Sequence, residues 1–160
     1  MPMVMKILAI DPGYARLGIA VVSGTPGTPH IEWSDCVTPP KGSPGTRLAH
    51  ISSVVSDTLS TYAPDVLAIE GLFFSKNKKT ALRVAEVRGV ILSLAAGAGI
   101  TVAEYSPQQV KVAVTGHGQA DKKSVSLMVP RLVALSEKKR LDDEFDAIAI
   151  GLTALAHAGT

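Results

Sequence analysis

At 160 residues, 46% of them hydrophobic and 19% charged, the chain can build an ample core and is too apolar for disorder. A net charge of +2 does not by itself announce a polyanion partner, although "SKNKKTALR" and "DKKSV" hold a good share of the lysines. The single cysteine, Cys36, excludes an internal disulfide and a thiolate-rich zinc site. No apolar run reaches the roughly 18 residues of a membrane span, and "MPMVMKILAID" lacks the basic start and small-residue cleavage site of a signal peptide. The expectation is therefore one domain over residues 1–160, cytoplasmic and without a membrane partner.

"MKILAIDPG" and "LGIAVVSG" are short apolar runs ending at turns, and "HIEWSDCV" roughly alternates polar with apolar, which together predict an antiparallel meander. From Ser43 to Tyr62, the residues Leu48, Ile51, Val55, Leu59 and Tyr62 recur at helical spacing before Pro64. "DVLAIEG" reads as a fourth strand, "KTALRVAEVRGVILSLAAGAG" as a long helix closed by glycines, and "ITVAEYS" as a fifth strand. Strand, helix, strand is the pattern of parallel pairing. "SPQQVKVAV" starts a helix with Ser106 as N-cap and Pro107 in first position, and another helix is expected from about Asp121. "DDEFDAIAIGLTALAH" predicts a final helix that is apolar on nearly every face yet begins with Asp142, Asp143, Glu144 and Asp146.

Acids at a helix start cap free N–H groups and complement the macrodipole, which accounts for one or two of the four. Asp146 fits that role poorly, since a helix buried on several sides must give its carboxylate a partner. Asp11 and Glu70 each end an apolar strand. If those strands are neighbours, both carboxylates emerge on one sheet edge, and Asp143 and Asp146, three residues apart, can meet them from one helical face. Such a cluster repels itself unless a cation neutralises it. Oxygen ligands without cysteine or a histidine pair favour Mg2+ or Mn2+, and two such ions about 4 Å apart suit phosphoryl transfer.

These residues resemble the RuvC family of Holliday junction resolvases, within the ribonuclease H-like superfamily. The similarity runs in order through "ILAIDPGYARLGIAVV", "LAIEGLFFSKNKKTALRVAEVRG", "YSPQQVKVAVTGHGQADKKSV" and "DEFDAIAIGLTALAH". The resemblance implies an α/β fold with a five-stranded mixed sheet flanked by helices, and a homodimer. It also implies paired symmetric nicking of four-way junction DNA in recombinational repair, with the branch-migration complex RuvAB as partner. By matching position it makes Asp11, Glu70, Asp143 and Asp146 metal ligands, holding two Mg2+ or Mn2+ ions, and adds Lys111 as a catalytic and DNA-binding residue. Lys122, with its neighbour Lys123 as the alternative, matches a second basic position near the site, and Phe73 an aromatic beside the junction. Lys76, Lys78, Lys79, Arg83 and Arg88 would form a basic strip along the DNA backbone. Asp142 and Glu144 have no counterpart and read as helix-start acids, with Asp142 four residues from Asp146 a possible substitute ligand. Asn77 matches the family pattern without an evident role. His117, between glycines, could touch a phosphate but is not a catalytic candidate.

Three other readings compete. A ribonuclease H-like nuclease that trims ribosomal RNA precursors shares the strand-one aspartate, but the "FF…N" segment and the length weigh against it. An actin-like ATPase also begins on an aspartate-glycine turn between strands, and needs two such domains. A catalytically silent junction-binding scaffold would not be expected to keep all four acids.

Overall fold

The computed structural model describes residues 2–13, 15–71 and 77–158. Its strands are β1 (Met5–Pro12), β2 (Leu17–Thr25), β3 (Thr28–Val37), β4 (Val66–Glu70) and β5 (Thr101–Tyr105). Its helices are α1 (Pro44–Tyr62), α2 (Lys78–Gly97), α3 (Pro107–Thr115), α4 (Lys122–Leu132) and α5 (Asp142–Ala158). The strands form one sheet in the order β3-β2-β1-β4-β5, antiparallel through the hairpins β1–β2–β3 and parallel from β1 to β4 to β5. This is the mixed sheet expected from the sequence. A bulge interrupts the β2–β3 register between Val21 and Val22.

Local chemistry accounts for most of the helix boundaries. The Ser43 side chain accepts from the Thr46 N–H at 3.2 Å and Pro44 occupies the first turn of α1. Ser106 and Gln109 form a reciprocal capping box at α3, with bonds of 3.0 and 2.8 Å, and Asp121 caps α4 through the Ser124 N–H at 2.8 Å. Asn77, which had no assigned role, caps α2 by accepting from the N–H groups of Lys79 and Thr80.

Strand alternation sorts the core into two unlike faces. Leu8, Ile10, Leu17, Ile19, Val21, Leu67 and Ile69 pack against α1 and α2. The opposite face offers smaller side chains, among them Ala9, Ala20 and Ala68, to α3, α4 and α5. Small residues allow α5 to lie close to the sheet. Where it crosses, a Cβ at Gly151 would stand 2.5 Å from Val22 Cγ2, and one at Gly18 would collide with the Asp143 carbonyl oxygen. The stretch from Ala147 to Leu155 is buried throughout, as its all-round apolar sequence requires. Close packing of α5 fixes the height at which its acidic first turn meets the sheet.

Candidate active site

In the β1–β4 register Ile10 lies opposite Ile69, so Asp11 and Glu70 come next on two neighbouring parallel strands. Both follow the alternation of Ala9 and Ala68 and therefore face α5. From that helix Asp143 and Asp146, one turn apart, descend on the same edge. The four carboxylates, Lys111 of α3 and Lys122 of α4 line one cleft of about 430 Å³, closed at its sides by Gly13, Pro107, Val110, Val125, Ala149 and Ile150. Thus the structure brings together residues from five elements that are up to 135 positions apart (146 minus 11).

Electrostatics in the cleft are unbalanced. Burial pushes the Asp11 carboxyl up to about 8, with added repulsion from Asp146, Glu70 and Asp143. Asp11, Glu70 and Asp146 are near enough to perturb one another, and the balance holds each toward its protonated form. Glu70 is raised by burial and by Asp146, against the pull of Asp11, Lys122 and Lys111. Asp146 is also raised by burial, although the Lys122 ammonium, 3.1 Å away, opposes the shift. For Lys122 partial burial works against the charge, but the Asp146 hydrogen bond and the nearby acids outweigh it and raise the pKa. Asp143 meets the Arg16 guanidinium at 2.9 Å.

A divalent cation would relieve the repulsion, and the donor set of four carboxylates suits a hard ion such as Mg2+ or Mn2+. Among the described residues, no three potential ligands are yet gathered at coordination distance. Instead, the two helix-borne acids turn toward Lys122 and Arg16.

One sequence expectation needs correction, and a second gains a partner set that the sequence did not show. Arg88 is not part of an exposed basic strip: it is 8% exposed, donates to the Glu70 carbonyl oxygen at 2.6 Å and pairs with Glu104 at 2.5 Å. Its hydrogen bonds fasten α2 to the ends of β4 and β5, beside the carboxylate of Glu70. Glu144 does stand in the first turn of α5, as the sequence suggested, but it is 3% exposed. Its Oε2 accepts from Ser34 Oγ at 2.8 Å and lies 2.9 Å from Arg140 Nε and 3.2 Å from Lys138 Nζ. Asp142 is exposed and does not line the cleft.

The remaining candidates are dispersed. Lys78 and Lys79 are exposed at the start of α2, Arg83 is paired with Glu86 at 3.0 Å, and His117 is exposed in the α3–α4 turn. Phe73, Phe74 and Lys76 lie outside the described residues. Sequence reasoning missed Arg16, an exposed turn residue in a stretch without periodicity, and missed the partners of Glu144, because Ser34 is 110 positions away.

A five-stranded mixed sheet with helices on both faces, carrying its acids on the central strand ends and on the helix laid across them, defines an α/β nuclease of the ribonuclease H-like class. The sequence model described as crossover junction endodeoxyribonuclease RuvC matches residues 7–154, and the chain belongs to that family. The protein of that name from Moorella thermoacetica is 45% identical over 155 residues, covering 96% of this chain and 91% of the relative. A solved structure of T. thermophilus RuvC in complex with Holliday junction substrate is similar with a TM-score of 0.88 at 33% identity, covering 98% of each chain. The yeast mitochondrial Holliday junction resolvase Ydc2 shares the fold, with a TM-score of 0.70 at 14% identity over 95% of this chain and 78% of that one.

Proposed function

We propose that this chain resolves four-way DNA junctions by paired, symmetric, metal-dependent cuts, with residues 1–160 acting as one nuclease domain. The observation that carries the reading is the cluster of Asp11, Glu70, Asp143 and Asp146, flanked by lysines in one cleft of a RuvC-family fold, with Asp11, Glu70 and Asp146 raised in pKa. Such a cluster is costly to keep without a cation, and two-ion carboxylate sites serve phosphodiester hydrolysis. These four carboxylates would hold Mg2+ or Mn2+, which when bound supplies an activated water and stabilises the leaving oxygen.

The chain's own residues do the rest. Lys111 projects from the cleft wall and offsets the charge that grows on the phosphate being cut. Lys122, 63% exposed beyond Asp146, holds a phosphate oxygen and orients the strand. Lys78 and Arg83 extend the contact along the DNA backbone, with Lys76 in the same role from the preceding segment and Phe73 stacking on unpaired bases beside the cut. Symmetric cutting of two strands calls for two sites, hence a homodimer. Junction resolution also calls for a motor that moves the branch, which favours RuvAB as partner and the cytoplasm as location. No helix among the described residues is long and apolar enough to cross a membrane.

The test is incubation of the purified protein with a synthetic four-way junction and a matched linear duplex, in Mg2+, in Mn2+ or in chelator. Paired cuts confined to the junction and dependent on metal are expected. Tight junction binding without cutting in either metal would overturn the enzymatic reading and leave a scaffold.

A further inference from the structure

Four acids converge on the cleft, but they are not treated alike. The two on α5 each carry a side-chain cation, Lys122 on Asp146 at 3.1 Å and Arg16 on Asp143 at 2.9 Å. For Asp11 and Glu70 there is no ion pair among the described residues. Arg16 does not reach Asp143 by chance of a long side chain. It belongs to the short turn between β1 and β2, where the Gly13 N–H returns to the Asp11 carbonyl at 3.1 Å and a Cβ on Gly13 would strike the Arg16 carbonyl oxygen. That tight fold of the backbone presents the guanidinium to Asp143 at the rim of the cleft.

The two halves of the pair differ in their access to water. Asp143 Oδ2 is closed off from solvent, whereas the Arg16 side chain is 43% exposed. The guanidinium occupies Oδ2 and offsets the carboxylate charge felt at Oδ1, so an ion approaching Asp143 meets a carboxylate already neutralised, and the occupant is free to leave outward. A DNA phosphate is the partner best suited to receive it, because a guanidinium binds phosphate with two parallel hydrogen bonds.

We propose that Arg16 is a displaceable counterion: it withholds Asp143 from metal until the phosphate of an arriving strand draws the guanidinium away, so that full metal loading follows substrate binding. The proposal rests on the metal-dependent reading above. The ion held by the strand carboxylates Asp11 and Glu70 loads without this barrier, so the two ions bind unequally in the free protein. By linkage, the DNA that removes Arg16 strengthens metal binding, and metal at Asp143 strengthens DNA binding by the same factor.

The experiment is calorimetric titration of Mn2+ into the free wild-type protein, Arg16→Gln and Arg16→Lys, with thermal melting to check the fold. Arg16→Gln should tighten the weaker Mn2+ event about three- to tenfold, as expected for loss of a partly exposed competing pair, and Arg16→Lys should fall between it and wild type. In chelator, where cutting is absent, junction binding by Arg16→Gln should lose about one unit of its log-log salt slope. Unchanged or weakened Mn2+ binding by a folded Arg16→Gln protein overturns the counterion role and leaves the nuclease reading intact. Absence of any Mn2+ binding by the wild type would overturn both.

Discussion

Asp143 and Glu144 are neighbours in sequence on the same helical turn, yet their surroundings are opposites. Glu144 sits among Ser34, Lys138 and Arg140 with hydrogen bond and charge both answered. One residue earlier, Asp143 opens onto a cluster of four carboxylates with two lysines and one arginine within reach. A buried acid that is fully compensated fastens structure, because moving it would strand two charges. An under-compensated group of acids is a place that awaits a cation. The difference between fastening and chemistry therefore lies in the balance of charge around an acid, not in its burial.

The sharpest way to break this comparison is to neutralise the under-compensated side. Asp11→Asn should lower junction cleavage by at least about a thousandfold, equivalent to about 4 kcal/mol of activation free energy. Glu70→Gln and Asp146→Asn should behave alike, with junction binding and melting temperature preserved. A loss of binding that tracks loss of folding would assign these acids to structure instead.

Neutralising the compensated side should do the reverse. Glu144→Ala leaves Arg140, whose side chain is 5% exposed, buried without its partner, and should destabilise the fold by about 3–5 kcal/mol in denaturant unfolding. Replacing Glu144 and Arg140 together with methionine should recover much of that loss, since a buried pair is often no better than apolar residues of similar volume. Failure of the double variant to recover would mean that Lys138 and Ser34 hold the network without Arg140.

Acidity gives a smaller and graded effect. Asp11, Glu70 and Asp146 have pKa values above those of an unfolded chain, so in the metal-free protein they retain protons that the unfolded chain has lost. Their contribution is complete below the ordinary carboxylate pKa and disappears as pH rises through the folded values, which for Asp11 is about 8. Metal-free stability should thus fall between about pH 4 and pH 8, by about 1.4 kcal/mol per pH unit for each proton retained. Mn2+ should flatten that slope, and so should Asp11→Asn. A metal-free protein whose stability is level across this range would show that the carboxylates do not crowd one another.

Much of this site could be read before the fold was seen, for reasons particular to each residue. Asp11 and Glu70 were legible because each ends an apolar run, and parallel pairing of Ile10 with Ile69 brings those ends to one edge. Asp146 was legible from helix periodicity, because an acid within a helix buried on all sides needs a partner. Choosing Asp143 over Asp142 depended on helical phase, which the family resemblance supplied. The burial of Glu144 and of Arg88 was not legible, for a shared reason. Their burial arises from partners on other elements, Ser34 on β3 and Glu104 on β5, and no local pattern marks those pairings. For Arg88 there was one faint signal, since it stands between Val87 and Gly89 on the apolar side of a helix otherwise rich in surface charge.

Lys122 tests the comparison most finely, because it belongs to both sides of it. In the free protein it answers Asp146, as Arg140 answers Glu144, but it is 63% exposed where Arg140 is 5% exposed. An exposed ammonium on a flexible stem holds its partner weakly and can be taken by a phosphate. Lys122→Gln should therefore leave melting nearly unchanged, tighten Mn2+ binding slightly by releasing Asp146, and slow cutting about three- to tenfold by loosening the strand. Metal affinity and rate would then move in opposite directions, which a residue fastening the fold cannot produce. If Lys122→Gln instead lowers stability as Glu144→Ala does, the ammonium is part of the frame, and the charge deficit of the cleft is smaller than its four acids suggest.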